Sequence, residues 1–158
     1  MNYYLFFVPV LILVGAGCSV NQIPSGTTSG QSETTTESSR TELDLSGRGL
    51  TSIPMDVFSR TNLTRLDLSN NRLTNAPQSQ IGQLKNLTSL NLSNNNLTGL
   101  PAELGRLDKL TILDVSSNRL TGLPMELGNL TQLRILDVSN NPYSVKDLEQ
   151  IASKLINT

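Results

Sequence analysis

The 158-residue sequence contains no histidine and no tryptophan, and its only cysteine is Cys18. Without histidine, a Ser–His–Asp triad, a Cys–His nucleophile pair and a Cys/His zinc site cannot be built. A single cysteine cannot form an internal disulfide, which is the usual covalent staple of small secreted domains. A glycine-rich phosphate loop is also missing. We therefore expect a protein that is not an enzyme and that uses no cofactor and no metal.

Charge and aromatic content are low as well. Twelve basic and 13 acidic residues give a net charge of −1, and most of the three Phe and three Tyr residues lie close to the amino terminus. Nucleic-acid binding domains usually need a basic surface and exposed aromatic rings for base stacking. We expect no nucleic-acid partner.

The sequence is instead rich in a repeated leucine pattern. The stretch from Leu63 to Pro101 contains two copies of L-x-x-L-x-L-x-x-N-x-L, and further copies begin at Leu110 and Leu133, with a weaker one from Leu43. The second leucine of each copy recurs at intervals of 23, 24, 23 and 23 residues, at Leu43, Leu66, Leu90, Leu113 and Leu136. A fixed period of this length indicates a solenoid. We expect the register to break at Pro142 and Tyr143, where the last copy ends.

This pattern resembles the leucine-rich repeat family, and the tails Leu100–Gly105 and Leu123–Gly128 are similar to its short Ras-suppressor-like subtype. The resemblance covers about Thr41 to Pro142. It implies an α/β solenoid with a short parallel β-sheet on the concave face, short helices or 3₁₀ turns on the convex face, and a C-terminal capping helix. Members of the family mostly bind other molecules, so we expect about five repeats at 41–143 that act in recognition.

The repeat also has a physical rationale. Ordering one 23-residue copy costs about 1–2 kcal/mol of backbone entropy per residue, and its few apolar side chains do not offset that cost alone. Stacked copies cover one another's leucines. Asn71, Asn95, Asn118 and Asn141 lie where the chain leaves each strand, and an amide can satisfy turn groups on both sides.

The convex side should carry short helical segments. Pro54, Pro77, Pro101 and Pro124 suit the first helical position, and Gly82, Gly105 and Gly128 suit the C-terminal end. The one extra residue of the copy that begins at Leu63 falls between Pro77 and Ile81, so we expect it to change a convex loop and not the sheet.

Residues 1–17 are uncharged and mostly apolar, too short a run to span a bilayer comfortably. They fit a secretory signal peptide, and Val14-Gly15-Ala16-Gly17-Cys18 resembles a bacterial lipobox. That resemblance implies cleavage before Cys18 and a diacylglycerol on its thiol. An ordinary cleaved signal and an uncleaved membrane anchor are the alternatives.

Residues 18–40 are rich in Ser, Thr, Gly and Glu and contain nothing that forms a core, so we expect a lipidated Cys18 followed by a disordered tether. The expected location is the cell envelope, lipid-anchored to a membrane, which would be the outer membrane in a Gram-negative cell because Ser19 is not Asp. A freely secreted protein is the alternative.

Strand alternation defines the concave face. Its first row is Glu42, Arg65, Ser89, Ile112 and Ile135; its second is Asp44, Asp67, Asn91, Asp114 and Asp137; its third is Ser46, Ser69, Ser93, Ser116 and Ser139. One interpretation is that Asp and Ser are family-typical and simply solvated. A second is a partner-binding surface formed by Glu42, Arg65, Asp67, Ser89, Asn91, Ile112, Asp114, Ile135 and Asp137. A third is a calcium site between Asp114 and Asp137, although the pair offers few oxygen ligands.

Residues 144–158 predict a capping helix. Ser144 followed by Asp147 resembles a capping box. An apolar face is formed by Val145, Leu148, Ile151, Ala152, Leu155 and Ile156. We expect this face to cover the last leucines, with partner or membrane binding as the alternative.

Two functional hypotheses remain. In the first, the concave face recognises an unknown protein or peptide at the envelope, and Arg65 together with exposed Ile112 and Ile135 determines the partner. In the second, the chain is a structural envelope lipoprotein that forms a weak homodimer through its first strand. Arg48 replaces the turn asparagine there, between Gly47 and Gly49, and the strand edge is open.

Overall fold

Five short parallel strands, one per repeat, form the concave sheet of the solenoid. The computed structural model describes residues 5–7, 10–13, 40–74 and 79–156. The five repeat strands are β3 (Glu42–Asp44), β4 (Arg65–Asp67), β5 (Ser89–Asn91), β6 (Ile112–Asp114) and β7 (Ile135–Asp137). Their central leucines are aligned from one strand to the next. The predicted solenoid with a concave parallel sheet is confirmed.

Two strands near the amino terminus join the same sheet. β1 (Leu5–Phe7) and β2 (Val10–Leu13) form an antiparallel pair, and β2 lies parallel to β7. The sheet order is therefore β1-β2-β7-β6-β5-β4-β3. The signal peptide stays a prediction, and Cys18 and most of the expected tether lie outside the described residues. Within the described ranges, none of the helices has the length and apolar character to cross a membrane.

Leucine side chains fill the interior between the sheet and the convex side. Leu66, Leu90, Leu113 and Leu136 are fully buried at the centres of β4 to β7. Leu43, the equivalent residue of β3, is only partly buried because β3 is the edge strand of the sheet. The core therefore closes by stacking, as the period predicts.

The convex side consists of four 3₁₀ segments, at Met55–Ser59, Ser79–Gln83, Ala102–Arg106 and Met125–Asn129. The prediction that proline occupies the first helical position is wrong by one residue. Pro54, Pro101 and Pro124 each lie just before the segment, with extended backbone angles. Residues 75–78, including Pro77 and part of the expected insertion, lie outside the described residues.

The convex glycines were predicted to end these segments, and that is also wrong. Gly82, Gly105 and Gly128 are the fourth of five residues in their segments. A Cβ atom on Gly82 would lie 2.9 Å from the Glu103 carbonyl oxygen, and one on Gly105 would overlap the Glu126 carbonyl oxygen. At Gly82 and Gly105, glycine is present because the backbone of the next coil passes directly over it, whereas Gly128 is covered by the side chain of Lys154.

The turn asparagines link neighbouring coils, as predicted. Asn95 is buried, and its amide nitrogen donates to the carbonyl oxygens of Leu92 and Ser93 in its own coil and of Leu68 in the preceding coil. Its Oδ1 accepts from the Leu73 N–H at 3.1 Å. Equivalent bonds are made by Asn71, Asn118 and Asn141. Each amide completes the turn of the coil before it.

The residue before each of these asparagines has a left-handed backbone. Asn70, Asn94 and Asn140 have φ of 56°, 53° and 55°, and Gly47 takes the same position in the first coil with φ of 64°. Ser117 has φ of 53°. Glycine and asparagine tolerate this region best, so Ser117 is the one strained choice in the row.

We predict that Ser117→Asn raises the free energy of unfolding by about 0.5 kcal/mol, because asparagine enters the left-handed region at lower cost than serine. Urea unfolding followed by circular dichroism measures the change. The exposed Thr121→Asn, which has no left-handed backbone to relieve, is the control. An unchanged or lower stability of Ser117→Asn alone would contradict the argument.

The α-helix α1 (Val145–Ile156) closes the C-terminal end of the solenoid. Leu148, Ile151, Ala152 and Leu155 are buried against the core, which confirms the predicted capping role. Val145 was assigned to the same face, but its side chain is 64% exposed. The side chain of Ile156 lies outside the described part.

The predicted capping box at the start of α1 is only half formed. The Ser144 hydroxyl accepts from the Lys146 N–H at 3.3 Å. The Asp147 carboxylate does not return to Ser144 and instead accepts from the Leu123 N–H at 3.3 Å. Asp147 thus fastens the helix to the preceding coil.

Tyr143 extends the repeat one position further than the sequence indicated. It lies 23 residues after Leu120 and packs, half-buried, against the core in the place of the last repeat leucine. The register therefore does not break at Tyr143, because an aromatic ring substitutes for the leucine there.

Candidate binding face on the concave sheet

The first two predicted rows of the concave face are present in the structure, whereas Ser69 and Ser93 of the third row are buried. Glu42, Arg65, Ser89, Ile112 and Ile135 are paired strand to strand and form the first row. Asp44, Asp67, Asn91, Asp114 and Asp137 are paired in the same way and form the second row. The sheet thereby brings together all nine predicted partner-binding residues on one surface. Their role as a binding site stays a prediction.

Second-row side chains have a structural function. The Oδ1 atoms of Asp114 and Asn91 each accept from the backbone N–H and the hydroxyl of the serine two residues later. Asp44, Asp67 and Asp137 accept the equivalent backbone N–H. These bonds turn the chain out of each strand, so the interpretation of the row as simply solvated is incomplete.

First-row side chains make no such bonds. Glu42 and Arg65 lie side by side, exposed and half-buried respectively. Neither side chain forms a hydrogen bond or an ion pair with another described residue. Ser89 is half-buried, and its hydroxyl likewise has no partner in the described ranges. The first row is therefore not committed to holding the fold.

Ile112 and Ile135 were predicted to be exposed, and the structure corrects this. Both are half-buried. They are direct neighbours across β6 and β7, where each aliphatic side chain shields the other, and β2 lies beside Ile135. They form a partly covered apolar strip at one end of the face.

The acidic row is balanced differently at its two ends. Hydrogen bonding from Ser46 holds the pKa of Asp44 below its ordinary value, and the positive charges of Arg48 and Arg65 add to this. Burial raises the pKa of Asp114, and the negative charges of Asp137 and Asp67 raise it further, against the opposing Ser116 hydrogen bonds. The β6–β7 end carries negative charge that the fold does not neutralise.

We predict that Asp114→Asn stabilises the protein at neutral pH by about 0.5 kcal/mol, because asparagine keeps the Oδ1 acceptor and removes a disfavoured charge. The pKa of Asp114 is raised in the folded state, so its charge lowers the stability of the protein. This destabilisation is absent below the unfolded-state pKa and develops as the pH rises through the folded-state pKa. Urea unfolding at pH 7 and pH 3 measures both. Asn91 already occupies the equivalent position of β5 and accepts the same two hydrogen bonds from its serine, so asparagine fits this position. A stabilisation that persists at pH 3 would contradict the electrostatic explanation.

No metal-binding cluster is present among the described residues, in which no three His, Cys, Asp or Glu side chains are placed to hold an ion. Asp114 and Asp137 therefore face each other across the sheet without the additional ligands that calcium requires.

The open edge of β3 is partly closed by a residue that the sequence marked only as a defect. Leu45 donates its N–H to Asp67 of β4, so the backbone groups of Asp44 face away from β4. The Arg48 guanidinium donates to the outward carbonyl oxygen of Asp44 at 3.1 Å. The arginine occupies an acceptor that a second strand would need, and this weakens the self-association hypothesis.

Tyr143 is a further residue near the face that sequence reasoning missed. Burial raises the pKa of its hydroxyl, and the charge of Asp137 adds to the effect. Its 23-residue spacing from Leu120 was the signal that identifies it as part of the array.

Comparison with known proteins agrees with this architecture. A family model described as leucine rich repeat matches residues 40–97, 61–120 and 85–142. No curated protein matches the chain.

Several solved structures are similar. A structure of the BIR3–SERK2 complex from Arabidopsis thaliana is 35% identical, with a TM-score of 0.59, and the match covers 65% of this chain and 56% of that one. The receptor kinase GASSHO1/SCHENGEN3 ectodomain from Arabidopsis thaliana, in complex with CASPARIAN STRIP INTEGRITY FACTOR 2, is 32% identical with a TM-score of 0.57, covering 64% of this chain and 13% of that one. A leucine-rich repeat protein of Leptospira interrogans is 29% identical with a TM-score of 0.53, covering 72% and 41%. The chain thus matches little more than half, or less, of each of these structures.

Proposed function

The chain belongs to the leucine-rich repeat family, and from that premise we propose that its concave face recognises a protein or peptide at a bacterial cell envelope. The domain resembles receptor ectodomains involved in protein–protein recognition. The family consists generally of non-catalytic recognition modules, and we propose the same for this chain.

One observation supports the proposal: the second row of the face is used to form the turns, and the first row is not. Second-row side chains are bonded into the turns. First-row side chains change from Glu42 and Arg65 through Ser89 to Ile112 and Ile135 with no bond that the fold requires. A surface that varies in this way, on a framework that does not, is suited to selecting one partner.

Display at the envelope rests on the leader. Cleavage before Cys18 and acylation of its thiol would remove β1 and β2 and leave β7 as the terminal strand. If residues 18–40 form the expected tether, they would span about 25–28 Å and hold the solenoid close to a membrane surface. A freely secreted form is the alternative location.

Recognition is tested with full-length protein and envelope fractions. Arg65→Glu and the double change Ile112→Ser with Ile135→Ser should abolish capture of the partner that the wild type retains. Arg65→Glu should leave thermal unfolding unchanged, and the isoleucine variant, which loses half-buried apolar area, should remain folded by circular dichroism at the temperature of capture. Met55→Ser is the control, because Met55 is 60% exposed on the convex side. Capture that survives both concave variants, or is lost with the convex one, would overturn the proposed site.

Anchoring is tested by the mass of the mature protein from membrane and soluble fractions, with and without Cys18→Ala. A product that lacks residues 1–17, carries added acyl mass and enters detergent only when Cys18 is present would support lipid display. An unacylated soluble product would refute the anchor and favour secretion.

A further inference from the structure

The two ends of the concave face differ in how their charges are satisfied. Near β4 and β5, the Asp67 Oδ2 atom accepts from the Asn91 amide at 3.3 Å, and Arg65 supplies a positive charge nearby. Near β6 and β7, the Oδ2 atoms of Asp114 and Asp137 accept no hydrogen bond from any described residue. The unbalanced negative charge is therefore concentrated at the β6–β7 end.

Burial strengthens this imbalance at Asp114. The pKa of its carboxyl is raised because the charge is partly desolvated and because Asp137 and Asp67 repel it. Charges in such surroundings interact with an opposite charge more strongly than fully hydrated ones do. A cation placed beside Asp114 would relieve the repulsion.

An apolar strip runs beside these carboxylates. Ile112 and Ile135 are two residues before Asp114 and Asp137 on the same strands, so the two pairs share one face about 6.6 Å apart. Adjacent strands lie about 4.8 Å apart, so each pair forms a short stripe along the solenoid axis. The result is an apolar stripe and an acidic stripe side by side.

We infer that this end of the concave face binds an extended polypeptide segment in which basic and aliphatic side chains alternate. In such a segment, neighbouring side chains project to opposite sides, so one set meets Ile112 and Ile135 while the other meets Asp114 and Asp137. Arg65 at the opposite end repels a further basic residue and limits the cationic part to the β6–β7 end. This inference rests on the proposed recognition function and specifies the chemistry of its partner.

The chain itself supplies conservative variants for the test. Asn91 makes the same turn bonds as the aspartates of its row, so Asp114→Asn with Asp137→Asn removes charge and keeps the turns. Ser89 lies in the row of Ile112 and Ile135, so Ile112→Ser with Ile135→Ser removes the apolar stripe with a residue that the sheet already accepts there.

The probe is a phage-displayed library of random nonapeptides, selected on immobilised full-length protein. Enriched peptides are synthesised and their affinities measured by calorimetry for the wild type, Arg65→Glu, the two double variants and Met55→Ser. Circular dichroism of each variant establishes that it is folded.

We expect enriched peptides to alternate Lys or Arg with aliphatic residues, and each double variant to weaken binding about tenfold or more while Met55→Ser leaves it unchanged. Binding should also weaken as the pH falls and Asp114 becomes protonated. Peptides that need Arg65 or Ile112 but are acidic or uncharged would overturn this inference and leave the recognition function standing. Peptides whose binding no concave variant affects, or an absence of enrichment, would overturn the recognition function and the inference with it.

Discussion

Replacing Gly105 with alanine is expected to lower the free energy of unfolding by about 3 kcal/mol, at the upper end of what overpacking usually costs. The added methyl would overlap the Glu126 carbonyl oxygen and lie 2.8 Å from both the carbonyl carbon and the Cβ atom of Glu126. These are mostly backbone atoms of the next coil, so relief requires the two 3₁₀ segments to separate. The paired strands on the other side of the coils resist that separation.

Gly99→Ala is the matched control for this prediction. Gly99 has no neighbouring atom within 4 Å of an added Cβ, and its φ is not positive. Alanine there should raise stability by about 0.4–1 kcal/mol by restricting the unfolded chain. Gly82→Ala, with its nearest contact at 2.9 Å, should fall between the two. Guanidinium unfolding ranks the three variants, and equal effects at Gly105 and Gly99 would show that coil contact is not the reason for glycine.

Replacing Asn95 with alanine should cost about 3 kcal/mol, because it leaves the Leu73 N–H without its partner, at about 1–3 kcal/mol, and removes one donor from each of three backbone carbonyl oxygens. Those oxygens keep a second donor, from the Asn71 amide, the Asn118 amide and the Asn70 N–H. The lost bonds join Asn95 to Leu68, Leu92 and Ser93 as donor and to Leu73 as acceptor. Asn95→Asp should be at least as damaging at neutral pH, because a carboxylate would face three carbonyl oxygens. That variant should regain stability as the pH falls and the new carboxyl becomes protonated.

Asn96→Ala provides the comparison. Asn96 is the next residue and is half-buried, but its side chain forms no hydrogen bond with another described residue. Its loss should change stability by no more than about 0.5 kcal/mol. Urea unfolding at pH 7 and pH 4 measures all three variants. If Asn95→Asp were more stable than Asn95→Ala at both pH values, the donor role of the amide would be refuted.

The fold was predictable from the sequence because its main determinant is periodic. Leu66, Leu90 and Leu113 recur at nearly constant spacing, and a buried leucine between two outward side chains defines each strand. The asparagine role was also predictable, because the amide at each turn has the donors and acceptor that the turn lacks. The leucine spacing and the asparagine role can both be read from one copy of the repeat and from the same positions in the next copy.

What the sequence did not predict depends on distances between coils. The need for Gly105 arises from a contact with Glu126, 21 residues away, and no local pattern records that separation. The partner of Asp147 was missed for the same reason, since Leu123 and Ser144 were both available to it. The exposure of Ile112 and Ile135 was overestimated because each covers the other across the sheet.

The candidate face was predictable in its position and not in its balance of charge. The alternation of side chains along the strands placed Asp67 and Asp114 in one row, but the sequence did not distinguish the surroundings of the two carboxylates. The structure distinguishes them, because the Asn91 amide reaches Asp67 while Asp114 remains next to Asp137.

The hydrogen bonds of the turn asparagines imply that the coils are completed in order from the amino end of the array. Each turn is completed by the amide of the following coil, as Leu73 is by Asn95 and Leu97 by Asn118. A chain that emerges from its amino end, whether from a ribosome or across a membrane, therefore always ends in one unfinished coil. During synthesis, each coil therefore gains its last turn hydrogen bond only when the following coil has formed. The helix α1, whose Asp147 accepts from the Leu123 N–H, ends this series.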